Sequence, residues 1–506
     1  MSGNYRPRRR HAAPGSTQKG TAASGRARRP PQADPRRTAY DVLAAVRGRS
    51  AYANLLLPKL RSERGLTGRD AALATELAYG TLRGQGTYDA VLAACSDRAL
   101  DKLDPPVLDI LRLGTHQLLN TRVGAHAAVA TSVDLAKSVV GPRVAGYVNA
   151  VLRRVATRDL DAWLDIVAPD PETDRDGYLA VRYSHPRWIV GAYRAALGDG
   201  SDAAGEDAVT ELEAALAAGN ARPRVTLAAF PAGPPRADVM PENADPGRWS
   251  PYAFTLRSGD PAPLIESGAA AVQDEGSQLA AIALARAPVG AADGADGASP
   301  AGAERWLDLC AGPGGKSRLL YGLAAAAPDS PRGATLAAAE LHPHRAALVA
   351  EALARPGPDG LPPHTVIVAD GTKPPWPEGT FDRVLVDAPC SGLGALRRRP
   401  EARWRKSEED LKELTALQRD LLRSALTAVR PGGVVAYVTC SPVPAETSDV
   451  VTDVLASTPG AELLDAPEVL SAVTGLGAAD PRFAQLWPHR HGTDAIFIAL
   501  LRRGKE

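Results

Sequence analysis

Beyond residue 304 of this 506-residue chain, short runs of β-forming residues alternate with helix-forming stretches. The runs are "RWLDLC" from Arg305, "TLAAAEL" from Thr335, "TVIVADG" from Thr365, "RVLVDAP" from Arg383, "GVVAYVTC" from Gly433 and "AIFIALL" from Ala495. Near-continuous apolar runs of this length suit strands buried on both faces. Alternating with helices, they predict an α/β, Rossmann-like domain built on a parallel, doubly wound sheet. Ligands in such sheets bind outside the carboxyl ends of the strands, where the strand order reverses. The strand ends must therefore be read together.

The first run ends in "LDLCAGPGGKS", Leu307 to Ser317, placing Cys310, Ala311, Gly312, Pro313, Gly314, Gly315 and Lys316 at the rim. Its three glycines permit a tight turn and close approach of the backbone to a ligand. The spacing matches neither the dinucleotide fingerprint nor the P-loop. The second run ends in Glu340, an acceptor for a ribose diol, and the third in Asp370, placed to bond an adenine amino group. The fourth ends in Asp387-Ala388-Pro389-Cys390 and the fifth in Thr439-Cys440-Ser441. Any one of these features could be ordinary capping or packing. Four successive ends carrying glycine loop, acid, acid and Asp-Ala-Pro-Cys point to a ligand-binding rim.

The chain has only four cysteines, unevenly spaced and without a Cys-x-x-Cys pair. That makes neither a disulfide framework nor a cysteine-pair metal site, and fits a reducing cytoplasm. No apolar stretch reaches membrane-spanning length, and the N-terminus lacks the hydrophobic segment of a secretory signal. Cys95 reads as a small buried hydrophobe, and Cys310 as a residue whose backbone lines the glycine loop while its thiol packs.

Charge and periodicity divide the rest. Residues 1–33 hold eight basic residues and no acidic ones, which leaves 51 basic against 58 acidic over the remaining 473. This tail reads as disordered, either a phosphate-attracting arm or a solubiliser. Residues 34–158 show helical spacing alone: Val107, Leu111 and Leu118; Val129, Val133, Ala136 and Val140; Val148, Val151, Leu152 and Val155. An all-α bundle is predicted there. Arg153 and Arg154 end its last helix, where positive charge suits the dipole as well as it would suit RNA. Residues 159–266 mix a helix in "YSHPRWIVGAYRAAL" with a strand in "ARPRVTLAAF", a small α/β connector. The catalytic domain then spans 267–506, opening on a helix after Val272 capped by Asp274 or Ser277. Low-complexity stretches at 289–303 and from Ala354 read as surface loops.

The motifs "LDLCAGPGGK", "DAPCSGLG", "RRRPEARW" and "VTCSP…E" resemble those of S-adenosylmethionine-dependent RNA cytosine-5 methyltransferases. The N-terminal "AYANLLL", "RDAALATELAYGTLR" and "YVNAVLRR" resemble the NusB-like domain of the RsmB/Sun branch, which acts on small-subunit (16S) ribosomal RNA. The likeness runs from residue 36 to 503. It implies an all-α NusB-like RNA-binding domain, a methyl donor, S-adenosyl-L-methionine, held by residues 310–316, Glu340, Asp370 and Asp387, and ribosomal RNA as partner. It implies Cys440 as nucleophile and Cys390 as the cysteine that assists release. Three positions depart from the pattern: Gly312 stands for a common Ala and should be harmless, Glu446-Thr447 for Glu-Asn, and Asp494-Ala495-Ile496-Phe497 for Asp-Gly-Phe-Phe.

Carbon 5 of cytosine is too weak a nucleophile to take a methyl group directly. A thiolate added at carbon 6 makes it enamine-like. An acid at ring N3, a role open to Asp387, stabilises the adduct, and a second group must help remove the carbon-5 proton. Fourth and fifth strands are neighbours in the usual order of this fold, so Cys390 and Cys440 should converge. The target base must leave its stack to enter. Arg398, Arg399 and Arg403 can hold RNA phosphates, and Trp404 can stack or pack; a solvated basic loop is the alternative. The same reaction on transfer RNA and a non-catalytic RNA-binding factor are the rival readings. The expectation is a cytoplasmic monomer needing neither metal nor membrane.

Overall fold

The computed structural model describes residues 34–49, 51–198, 206–290, 303–326, 334–478 and 480–504. The basic tail and most of the low-complexity stretch at 289–303 lie outside the described residues. No helix among those described is long and apolar enough to cross a membrane.

Residues 34–196 are helical, without a strand among the described residues. The predicted periodicity produces the burial: Val107, Leu111, Val129, Ala136, Val148, Val151, Leu152 and Val155 are all in the core, with Cys95 beside them. Val140 is the exception, 36% exposed where its helix ends. Arg154 donates to Asp97 and to the Cys95 carbonyl, so helix-end packing accounts for it.

The helix Glu206–Gly219 leads into a small antiparallel sheet. Its strands are β1 (Val225–Ala229), β2 (Ala244–Pro246), β3 (Ala253–Leu256) and β4 (Ala270–Val272), in the order β2-β3-β1-β4. Because β4 pairs with β1, Leu227 opposite Val272, this unit runs past the expected limit at 266.

The second sheet contains β5 (Arg305–Asp308), β6 (Thr335–Glu340), β7 (His364–Val368), β8 (Phe381–Asp387), β9 (Val429–Thr439), β10 (Ala461–Leu464), β11 (Ala484–Gln485) and β12 (Phe497–Arg503). The order is β10-β12-β9-β8-β5-β6-β7, with β11 on β12. The five strands from β9 to β7 are parallel, as predicted. β12 is not: it pairs antiparallel with β9, and β10 antiparallel with β12. Both faces of "AIFIALL" are buried, so its composition matches a parallel strand, and burial carries no information about direction.

Alternate side chains of the strands feed opposite faces. Trp306, Leu336, Leu385 and Ala436 pack with the helices Glu275–Arg286 and Gly315–Ala325. Leu307, Val384, Val386 and Tyr437 pack with Glu408–Ala428 and Ser448–Ser457. The order reverses between β5 and β8, and the next strand out is β9. Three chemistry-bearing strand ends therefore share one rim.

Candidate active site

The β8 and β9 register carries Asp387 opposite Val438, and Ala388 N–H donates to the Val438 carbonyl. Cys390 and Cys440 leave the sheet side by side, and their sulfurs lie 3.3 Å apart. Both are free thiols, half-buried. Their surroundings split them. The hydrogen bond from Cys390 pulls the Cys440 thiol below the ordinary thiol range, with the Lys316 ammonium acting the same way against burial, Asp387 and Asp494. Cys390 is pushed well above that range by the same bond, by burial and by the charges of Cys440, Glu446 and Asp387. Of the two, Cys440 is the more readily ionised and Cys390 the one that keeps its proton.

Lys316 leaves the glycine loop at the start of the helix Gly315–Ala325, and its ammonium donates to Asp387 Oδ2 at 2.7 Å. Burial disfavours the Lys316 charge, but Asp387 outweighs it and raises the pKa. Gly314 makes the turn at φ +101°, where an added Cβ would sit 2.8 Å from Ala352 Cβ. Gly315 has open space where a Cβ would stand. The Cys310 thiol packs under β5 and is pushed well above the ordinary range by burial.

Glu340 is buried, and its carboxylate accepts from Gly312 N–H at 3.0 Å and His342 N–H at 3.1 Å. A Cβ at Gly312 would come within 2.3 Å of that carboxylate, so the glycine lets Glu340 and Arg345 close over the loop. Asp370 stands exposed at the end of β7 with Oδ1 accepting from the Thr372 N–H and hydroxyl.

Sequence reasoning missed Asp308. It is fully buried at the end of β5, accepts from Ser317 Oγ at 2.7 Å, and leaves Oδ1 without a partner. Burial lifts its pKa to about 7, with Asp387 adding. Set inside an apolar run, it looked like any strand residue. The two departures after the nucleophile are satisfied locally: Thr447 Oγ1 donates to the Val443 carbonyl, and Ala495 N–H to the Gly394 carbonyl, while Gly394 N–H donates to the Cys440 carbonyl.

A family model described as 16S rRNA methyltransferase RsmB/F matches residues 298–502, and a NusB family model matches residues 33–157. Ribosomal RNA small subunit methyltransferase B of Pseudomonas syringae pv. tomato is 32% identical over 482 residues, covering 92% of this chain and 96% of that protein. The chain belongs to the RsmB/F methyltransferase family. It is an S-adenosylmethionine-dependent methyltransferase with a NusB-family domain at its N-terminal side. The Mycobacterium tuberculosis protein Rv1407, provisionally named a methyltransferase, is 49% identical over 479 residues, covering 94% of this chain and 98% of that one. The solved structure of PH0851 shares the fold, with a TM-score of 0.71 at 22% identity over 92% of this chain and 98% of that chain.

In this RsmB/F chain the basic segment after Cys390 departs from the expected RNA loop. Arg403 is fully buried and donates to the Ser184 carbonyl at 2.8 Å, Asn220 Oδ1 at 2.7 Å and the Gly219 carbonyl at 3.3 Å. It joins the connector to the catalytic domain and cannot touch RNA phosphate. Trp404 packs over Gly86 of the helical domain, so of stacking and packing it does the second. Glu401 accepts from Ala53 N–H, and Arg405 donates to the Val46 and Ala51 carbonyls, completing a clasp between the domains. Arg398 pairs with the buried Asp494, which also receives Arg397. Burial opposes the Arg398 charge, but Asp494 and Asp274 raise its pKa. Asp274, not Ser277, caps its helix. Arg399 is exposed over the Tyr52 ring. Of the predicted RNA contacts, Arg398 and Arg399 remain accessible.

Proposed function

We propose that this enzyme transfers a methyl group from S-adenosyl-L-methionine to carbon 5 of a cytosine in small-subunit ribosomal RNA, through a covalent bond to Cys440. The observation that carries the reading is the meeting of the Cys390 and Cys440 sulfurs at 3.3 Å beside the Lys316–Asp387 pair, with Cys440 the more readily ionised of the two thiols. A cytosine-5 transfer needs one thiolate to attack and a second group to manage the proton.

The rim fits a donor with a nucleoside and a charged tail. The Gly314–Gly315 turn leaves space for close backbone approach, and Glu340, Asp370 and Asp387 bring carboxylates to three strand ends. We assign donor binding to Cys310, Ala311, Gly312, Pro313, Gly314, Gly315, Lys316, Glu340, Asp370 and Asp387. When bound, the donor supplies an electrophilic methyl group.

Cys440 attacks as the thiolate. Its sulfur bonds carbon 6, and the electrons of the carbon 5–carbon 6 double bond move onto carbon 5, which then bonds the methyl group as the methyl–sulfur bond breaks and leaves its electron pair on the donor sulfur. Asp387 passes a proton from the Lys316 ammonium, 2.7 Å away, to ring N3 as the attack drives charge there, and returns it when the double bond re-forms. While Cys440 is tied to carbon, Cys390 no longer faces a thiolate and gives its proton to water. Cys390 then takes the carbon-5 proton, the double bond re-forms, and the bond from carbon 6 to Cys440 breaks. The pair returns to its starting state.

Arg398 and Arg399 hold RNA phosphate beside the pocket, and the helical domain, residues 34–158, binds RNA away from it. The name of the P. syringae relative supports a small-subunit ribosomal substrate; that the enzyme works as a cytoplasmic monomer is part of the same proposal. Bisulfite sequencing of ribosomal and transfer RNA from a deletion strain tests the substrate. One cytosine in 16S RNA should lose protection and regain it with the restored gene. Loss confined to transfer RNA would overturn the assignment.

A further inference from the structure

Glu446 is fully buried, and among the described residues no cation pairs with it. Its carboxylate accepts from Ser391 N–H at 2.7 Å, from Ser391 Oγ at 2.5 Å and from Gln418 Nε2 at 3.2 Å. Gln418 also donates to the Pro389 carbonyl at 2.8 Å, and Tyr437 Oη to the Glu446 carbonyl at 2.8 Å. The residues before and after Cys390 are thus gripped from one side by a single buried anion and its amide partner. A buried carboxylate with only neutral donors is costly to keep. Packing alone would be served as well by an uncharged side chain.

We infer that Glu446 is a positioning residue that fixes which of the two active-site cysteines carries the proton. The inference rests on the proposed roles of Cys390 and Cys440. Glu446 holds the Cys390 loop so that its sulfur faces Cys440 at 3.3 Å. Its negative charge stands on the Cys390 side, while the Lys316 ammonium acts on the Cys440 side. Asp387 faces both sulfurs, and Asp494 and Arg398 face Cys440, so they do not reverse this difference. An anion beside one thiol disfavours its ionisation, and a cation beside the other favours it. Without Glu446 the Cys390 thiol loses one of the charges that keep it neutral, and its difference from Cys440 narrows. With it, Cys390 stays neutral until Cys440 is consumed.

Alkylation by iodoacetamide, resolved for each cysteine by mass spectrometry across pH, reads the two thiols without RNA or donor. In the wild type Cys440 should react first, with Cys390 reacting only at clearly higher pH. Glu446→Gln keeps the size and removes the charge. It should lower the Cys390 midpoint by about one unit and narrow the preference for Cys440 roughly tenfold, and Glu446→Asp should restore part of it. A preference unchanged in Glu446→Gln, in protein that melts as wild type does, would overturn the inference. So would a wild type in which Cys390 reacts first, whatever the variants do. Because no RNA is present, failure here leaves the cytosine-5 reading standing, and failure of that reading leaves this result intact.

Discussion

Lys316 Nζ and Asp387 Oδ2 meet at 2.7 Å across the point where the strand order of the large sheet reverses. One residue comes from the glycine loop after β5 and the other from the end of β8. The pair ties the glycine loop after β5 to the strand end that leads into Cys390. Lys316→Met removes the cation that favours the Cys440 thiolate. Methyl transfer in single turnover should fall about tenfold at neutral pH and recover part of the loss by about pH 9, for roughly one unit of thiol shift. A deficit equal at every pH would place Lys316 outside the activation of Cys440.

Asp308 gives a stability test with a definite sign. Its pKa rises from 3.8 in the unfolded chain to about 7 in the fold, through burial. Between those values the folded state binds more protons, so stability falls as pH rises through the window and levels off above it. Asp308→Asn has no charge to bury. Relative to the wild type it should be more stable at pH 8 than at pH 5, by on the order of 2 kcal/mol or more. Chemical denaturation at the two pH values measures this. A difference independent of pH would mean that Asp308 is not buried as described.

Asp370 is exposed, so its loss should leave the fold alone. Asp370→Ala should weaken S-adenosylmethionine binding by roughly 1–3 kcal/mol, the cost of a hydrogen bond to a charged group. Calorimetry with the donor measures it, and RNA binding should survive. Intact donor affinity with failed RNA binding would show that the end of β7 serves the nucleic acid.

Arg399 and Arg403, four residues apart in the sequence, separate cleanly in the fold: the first is exposed and the second fully buried. Arg403→Met strands two backbone carbonyls and the Asn220 amide oxygen in a buried joint, and should cost on the order of 3 kcal/mol of stability. Arg399→Ala should change stability by less than about 0.5 kcal/mol. It should instead weaken RNA binding and lower its salt dependence by about one released counterion. Thermal melts and RNA titrations at several salt concentrations check both.

The strand ends were legible because strand-rim chemistry is local: each motif sits where an apolar run stops. The meeting of Cys390 and Cys440 followed from adjacent strands. What stayed hidden depended on partners far along the chain. Arg403 in "RRRPEARW" has the composition of a surface phosphate contact, and its acceptors at 184, 219 and 220 carry no signal at 403. Asp308 looked like part of a strand because burial of an acid leaves no mark in composition. The direction of β12 depends on how the chain returns to the sheet, and the apolar pattern is the same either way.

The separate roles of Cys440 and Cys390 can be read on one denaturing gel, with wild type, each Cys→Ala variant and the double variant incubated with substrate RNA and donor. Cys390→Ala should still attack and transfer the methyl group, then fail to release, leaving a donor-dependent protein–RNA band of higher mass. Cys440→Ala and the double variant should show no such band and no methylation. A band with Cys440→Ala and none with Cys390→Ala would reverse the two roles, and full methylation by both single variants would contradict the covalent mechanism.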